Sequence, residues 1–138
     1  MQAALKFVFL WGVGFLVYTV IDALFLGVVA NKFFQNEIGT LMYSGDSMPA
    51  GRIAAALATW LVIVLGIVSL VLPRVGQGAP LWKALLWGGL FGAVVYGTYE
   101  LTNYAVLRDW SLRVVAADIV WGAVLCGVVS LLLAAINR

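Results

Sequence analysis

Histidine is absent from this chain and cysteine occurs once, at Cys126. An intramolecular disulfide is therefore excluded, and no imidazole exists to ligate haem, copper or a catalytic zinc. Cys126 lies in an apolar run and reads as a small packing residue. Charge is the next scarcity. Eight Lys or Arg and six Asp or Glu make up 10% of 138 residues, against roughly 25% in a soluble domain. The net charge of +2 is too small to point to nucleic acid, and no cofactor motif is present, so neither is expected.

What is abundant is apolar: 64% of the chain, with a mean hydropathy of +1.08. That is the composition of an integral membrane protein, and the sparse charges mark its spans. Between Lys6 and Lys32 only Asp22 is charged, and between Arg52 and Arg74 nothing is. Between Lys83 and Arg108 only Glu100 is charged, and between Arg113 and Arg138 only Asp118. Each window holds the roughly 20 residues a helix needs to cross the hydrocarbon core. The sequence thus predicts one integral membrane domain over 1–138, an all-α up-down bundle of four transmembrane helices at about 5–30, 49–72, 81–107 and 112–136. Both termini then lie on the same side. Phe33, Phe34, Ile38 and Leu41 predict an amphipathic interfacial helix in the 31–51 loop.

Val28 and Ala30 would make a passable leader cleavage site, but the apolar stretch is too long and Asp22 interrupts it, so it reads as the first span. Ser47 is the expected cap of the second helix, with Pro49 in its first turn; Asp109 or Ser111 is expected to cap the fourth. The second helix has no ionisable residue beyond Arg52 and is expected to meet lipid more than any site. Lys6, Arg74, Lys83 and Arg138 on the terminal side balance Lys32, Arg52, Arg108 and Arg113 on the other, so the positive-inside rule is nearly tied. The free amino terminus tips the expectation toward cytoplasmic termini.

Against this apolar background stand Asp22, Glu100 and Asp118. A charged group at mid-bilayer costs about 3 kcal/mol on insertion scales. At 1.5 Å per residue, Asp22 lies roughly 14 Å and Glu100 roughly 11 Å before the ends of their helices. Asp118 follows the start of its own by a similar depth, so the three share one layer beneath the 31–51 loop. Tyr18 and Asp22 stand four residues apart; Tyr96, Glu100 and Asn103 follow the same face, with Tyr99 on its flank; Trp121 sits beside Asp118. Polar residues in such rows turn inward, since lipid is the costly direction. Gly88 and Gly92 on the third helix and Gly122 and Cys126 on the fourth would let those helices approach closely. Trp82 and Trp110, near helix ends, read as interface anchors.

The motifs Tyr18-x-x-x-Asp22 with Phe25-Leu-Gly27, Tyr96-Gly-Thr-Tyr-Glu-Leu-Thr-Asn-Tyr-Ala105 with Trp110, and Asp118-x-x-Trp-Gly122 cover three of the four helices. Together they resemble the bacterial membrane proteins grouped as domain of unknown function 2177. Glu100 stands where the resemblance leads one to expect Asp. The resemblance implies a bacterial cytoplasmic-membrane protein and brings no assigned activity.

Three functional readings follow from the residues. In the first, Asp22, Glu100, Asp118, Asn103, Tyr18, Tyr96, Tyr99 and Trp121 form a pocket that binds or transports a small hydrophobic, amphiphilic or cationic ligand with proton exchange. In the second, paired carboxylates perform acid–base chemistry on a lipid or other hydrophobic substrate; a metal variant would use Asp22, Glu100 and Asp118 as hard oxygen ligands. In the third, the polar layer is glue for a structural or scaffolding subunit that pairs with itself as a homodimer or holds a larger complex; each interhelical link there contributes about 0.6–2 kcal/mol.

Overall fold

The computed structural model describes residues 2–43 and 48–138. Every regular element among them is helical. Helix α1, Gln2–Leu24, runs on through one π turn, Phe25–Val29. Helix α2, Asn31–Ile38, ends in a single 3-10 turn over Gly39–Leu41. Helix α3, Ala50–Gly66, continues through a π turn, Ile67–Val71, into a last turn, Leu72–Val75. Helices α4, Leu81–Val106, and α5, Leu112–Ile136, are joined by a tight turn.

Three stretches, Gln2–Val29, Ala50–Val75 and Leu112–Ile136, are long and apolar enough to cross a membrane. Four spans were expected. At 26 residues α4 has the length, but its glycines and the polar run from Tyr96 to Asn103 dilute its hydropathy.

The second helix was expected to stop before Pro73 and instead reaches Val75. A proline inside a helix removes one hydrogen bond and clashes with the preceding turn. Here the π turn just upstream widens the backbone to receive it, a recurrent solution to such defects. The chain then reverses through Gly76 and Gly78, at φ of 77° and 73°, values that residues with a Cβ adopt only with strain. Ser47 lies outside the described residues, and Pro49 occupies the N-cap of α3. At α5 it is Ser111, not Asp109, that caps, its Oγ accepting from Arg113 N at 3.2 Å.

Packing is closest between α4 and α5. A Cβ at Gly92 would collide with the Gly122 carbonyl, one at Gly88 with Ser130 and the Cys126 carbonyl, and one at Gly122 with the Tyr96 ring. The missing side chains therefore set the interaxial distance, as in other membrane helix pairs. Helix α1 lies against both α3 and α5: a Cβ at Gly14 would meet Val64 and Leu133, and Trp11 Nε1 donates to Leu61 O at 3.0 Å. Ile63, Val64, Ile67, Leu125, Val129 and Leu133 fill the space between. Lys6 Nζ donates to Asn137 O at 3.3 Å, which brings the two ends of the chain together. Neighbouring long helices run antiparallel.

At the opposite end Ser111 donates to Glu37, which also takes Arg113 Nη1 at 3.3 Å, so α2 is tied to the start of α5. The Ser111 hydroxyl first, and the Arg113 guanidinium after it, hold the Glu37 carboxyl below the usual carboxylate range. A carboxyl lowered on docking contributes above its undocked value, about pH 4.3, and that contribution is lost as pH falls through the docked value. Hydrogen exchange over residues 31–38, corrected for intrinsic rates, is expected to rise selectively on acidification. Glu37→Gln should raise it already at neutral pH and remove the pH dependence.

Candidate functional site

The site is assembled from side chains that five helices and one turn point at a common volume. On α1, Asp22 follows Tyr18 by one helical turn, and both are buried. The π turn that begins at Phe25 lays its ring flat on Trp121 of α5, with centroids 3.6 Å apart and planes 9° from parallel. That stack holds the indole so that Trp121 Nε1 donates to Asp22 Oδ1 at 2.8 Å. On α4, Tyr96 and Glu100 share a face; the Tyr96 hydroxyl meets the Tyr18 hydroxyl in a hydrogen bond, linking α4 to α1.

Glu100 is only 1% exposed. Its carboxylate accepts from Trp110 Nε1 at 2.8 Å. Trp110 belongs to the turn before α5 and folds back over the end of α4, where its ring meets Tyr99 edge-on at 6.3 Å. Asp118 enters from α5, half-buried beside Glu100. Two of the three carboxylates are thus held by an indole N–H, a donor that balances a buried carboxylate without bringing in a full positive charge.

These groups face a cavity of about 380 Å³, and Asp22, Glu100 and Asp118 all line it. Tyr96, Tyr99 and Trp110 continue the polar wall, and Ala56, Thr59, Trp60 and Ile63 of α3 face it. Phe34 and Ile38 of α2 lie across one end. No Lys or Arg is among the lining residues. Helices α3 and α4 meet where Phe91 fills the space beside Gly66. Beyond that contact Ala56, Thr59 and Tyr99 are lining residues that are also exposed, as is Leu26 in the π turn after α1.

Of the expected site residues, Asp22, Glu100, Asp118, Tyr96 and Tyr99 reach the cavity. Tyr18, Trp121 and Asn103 do not: Tyr18 is sealed against Tyr96, Trp121 stands behind Asp22, and the buried Asn103 Nδ2 has no hydrogen-bond partner. Trp110, read as an interface anchor, donates its indole N–H to the Glu100 carboxylate; its place shortly after the long third-helix motif was the available signal. Helix α3, expected to stand apart from any site, supplies Thr59 and Trp60. An indole in mid-span, far from either interface, was the clue there. Among the described residues no three Asp, Glu, Cys or His side chains are gathered as metal ligands. Asp22 and Glu100 each turn to a separate indole.

Long apolar helices enclosing an inward-facing layer of carboxylates define a helical membrane protein. The chain belongs to the family described as "Predicted membrane protein (DUF2177)", whose profile matches residues 7–135; the resemblance drawn from the motifs around Asp22, Glu100 and Asp118 is thereby borne out. No curated protein and no solved structure matches it.

Proposed function

We propose that this protein binds a small cationic amphiphile within the bilayer, in the cavity between α1, α3, α4 and α5, and exchanges a proton at Asp118 as the ligand enters. One observation carries this reading: a cavity wall with three carboxylates and the rings of Trp60, Tyr96, Tyr99 and Trp110, and no basic side chain. Aromatic faces attract cations by about 0.5–2 kcal/mol each, and carboxylates at this depth favour a cation further. The volume of about 380 Å³ falls within the roughly 300–1,000 Å³ typical of small-molecule sites. Asp22 and Glu100 act chiefly as ties between elements, since each is engaged by an indole. Asp118 is the group left to exchange its proton: a carboxyl in the bilayer is more stable neutral, and an arriving cation reverses that balance.

The reading takes α4 as a fourth span. Its length covers about 39 Å at 1.5 Å per residue. Leu86, Leu90, Val94 and Leu101 are exposed along one side of it, where lipid would lie. The exposed lining residues Leu26, Ala56, Thr59 and Tyr99 then open the cavity toward the acyl chains, the route an amphiphile would use.

Benzyltrimethylammonium and its uncharged carbon isostere neopentylbenzene test this directly in nanodiscs, with tryptophan fluorescence as the readout. The cation is expected to bind about tenfold or more tightly than the isostere, a difference of about 1.4 kcal/mol. Asp118→Asn should erase that preference while leaving the protein folded. Equal binding of the two compounds, unaltered in Asp118→Asn, would discard the proposal.

A further inference from the structure

The two ends of the molecule differ in charge. All six carboxylate side chains fall at Asp22, Glu37, Asp46, Glu100, Asp109 and Asp118, in segments next to the 31–51 loop or the 107–111 turn. The end that carries the chain termini has Lys6, Arg74, Lys83 and Arg138 and no carboxylate side chain. Among the described residues, what those cations touch is not anionic. Lys6 Nζ and Arg138 Nη2 each donate to a backbone carbonyl, Asn137 O and Ala79 O, both at 3.3 Å. Arg74 lies over the Trp87 ring at 5.0 Å and Lys83 over the Trp82 ring at 6.0 Å.

Between α1 and the end of α3 at this same pole lies a second cavity, of about 370 Å³. Phe7, Leu10, Val68 and Leu72 form apolar walls, and Lys6, Gln77 and Asn137 stand among the lining residues. An apolar channel with an ammonium and two amides beside it matches an acyl chain continuing into a phosphate. We infer that this groove holds one anionic phospholipid of the surrounding bilayer, its chain between α1 and α3 and its phosphodiester at Lys6. Basic pockets between membrane helices bind acidic headgroups by this chemistry, and no carboxylate side chain is among the residues lining this groove. The site is separate from the carboxylate cavity and independent of its ligand.

The test is native mass spectrometry of the full chain released from nanodiscs of phosphatidylglycerol mixed with phosphatidylcholine. Retained lipid should be enriched in phosphatidylglycerol by about fivefold, the weight of one basic side chain at an anionic surface. Lys6→Gln should abolish the enrichment and Lys6→Arg should keep it. Ala3→Trp, at an exposed lining position, should lower total retained lipid by filling the groove. Glycerol phosphate, which has the headgroup and no chain, should not compete. Equal retention of both lipids, enrichment that survives Lys6→Gln, lipid retention unchanged in Ala3→Trp, or full competition by glycerol phosphate would each overturn the assignment, the last by showing a free-phosphate site.

Discussion

Gly92→Leu is expected to leave little folded protein. The Cβ alone would collide with the Gly122 carbonyl, and a backbone atom cannot rotate away as a side chain can. Helices α4 and α5 must separate, which also lifts Tyr96 from Gly122 and pulls Glu100 away from Asp118. Overpacking typically costs about 1–3 kcal/mol and more where the backbone must move. A loss above about 3 kcal/mol consumes much of a stability of roughly 5–15 kcal/mol. The measurement is thermal stability by fluorescence-detected size exclusion, beside Gly12→Leu. A Cβ at Gly12 meets nothing within 4 Å, so that variant should behave as wild type. Equal stability of the two would mean that the α4–α5 distance is not set by glycine.

The second large effect is expected at Trp121. Its ring stacks on Phe25 and its N–H serves Asp22, so two contributions can be separated. Trp121→Ala removes both and is expected to cost about 3 kcal/mol, the low end for aromatic truncations, because the indole is half-buried. Trp121→Phe keeps most of the stacking surface and removes the donor alone. Interhelical hydrogen bonds in membranes average about 0.6 kcal/mol and reach about 1.7, so the ring outweighs the bond. Combined with Asp22→Asn, Trp121→Phe should cost less than the sum of the single changes, because the carboxylate that needed the donor is gone. Strict additivity in reversible unfolding would show that Asp22 and Trp121 are neighbours without being a tie.

Both results bear on how the polar layer divides its labour. A residue that ties helices loses stability when altered, whereas a residue kept for a ligand loses binding and keeps the fold. Asp22 and Trp121 are expected on the first side and Asp118 on the second, although all three carboxylates line one cavity. Trp110 is an intermediate case, because it serves Glu100 and also forms wall.

Much of the site was legible because membrane burial makes polar residues conspicuous. Asp22, Glu100 and Asp118 stand out against apolar runs, and helical rise alone placed them at one depth. Gly88, Gly92 and Gly122 announced close packing by their spacing. Trp60 and Trp110 were hidden for the opposite reason. A tryptophan near a helix end suits a bilayer interface, and one in an apolar helix can face lipid, so each is a weaker signal of a site than an acid in an apolar run. What brings Trp110 to Glu100 is the path of the turn at 107–111, and what brings Trp60 to the cavity is the placement of α3 beside α1.

The apolar composition and the spacing of charges by themselves determined an all-helical membrane protein with an inward layer of acids. Backbone hydrogen bonding leaves only helices and closed barrels to cross hydrocarbon, and apolar runs of about 20 residues fit the helix. Only the tertiary structure decided which acid meets which partner, that an indole and not a cation faces Asp22 and Glu100, and that a cavity remains between them. Those outcomes depend on interhelical distances and ring orientations, which arise when glycines on one helix meet side chains from another many residues away.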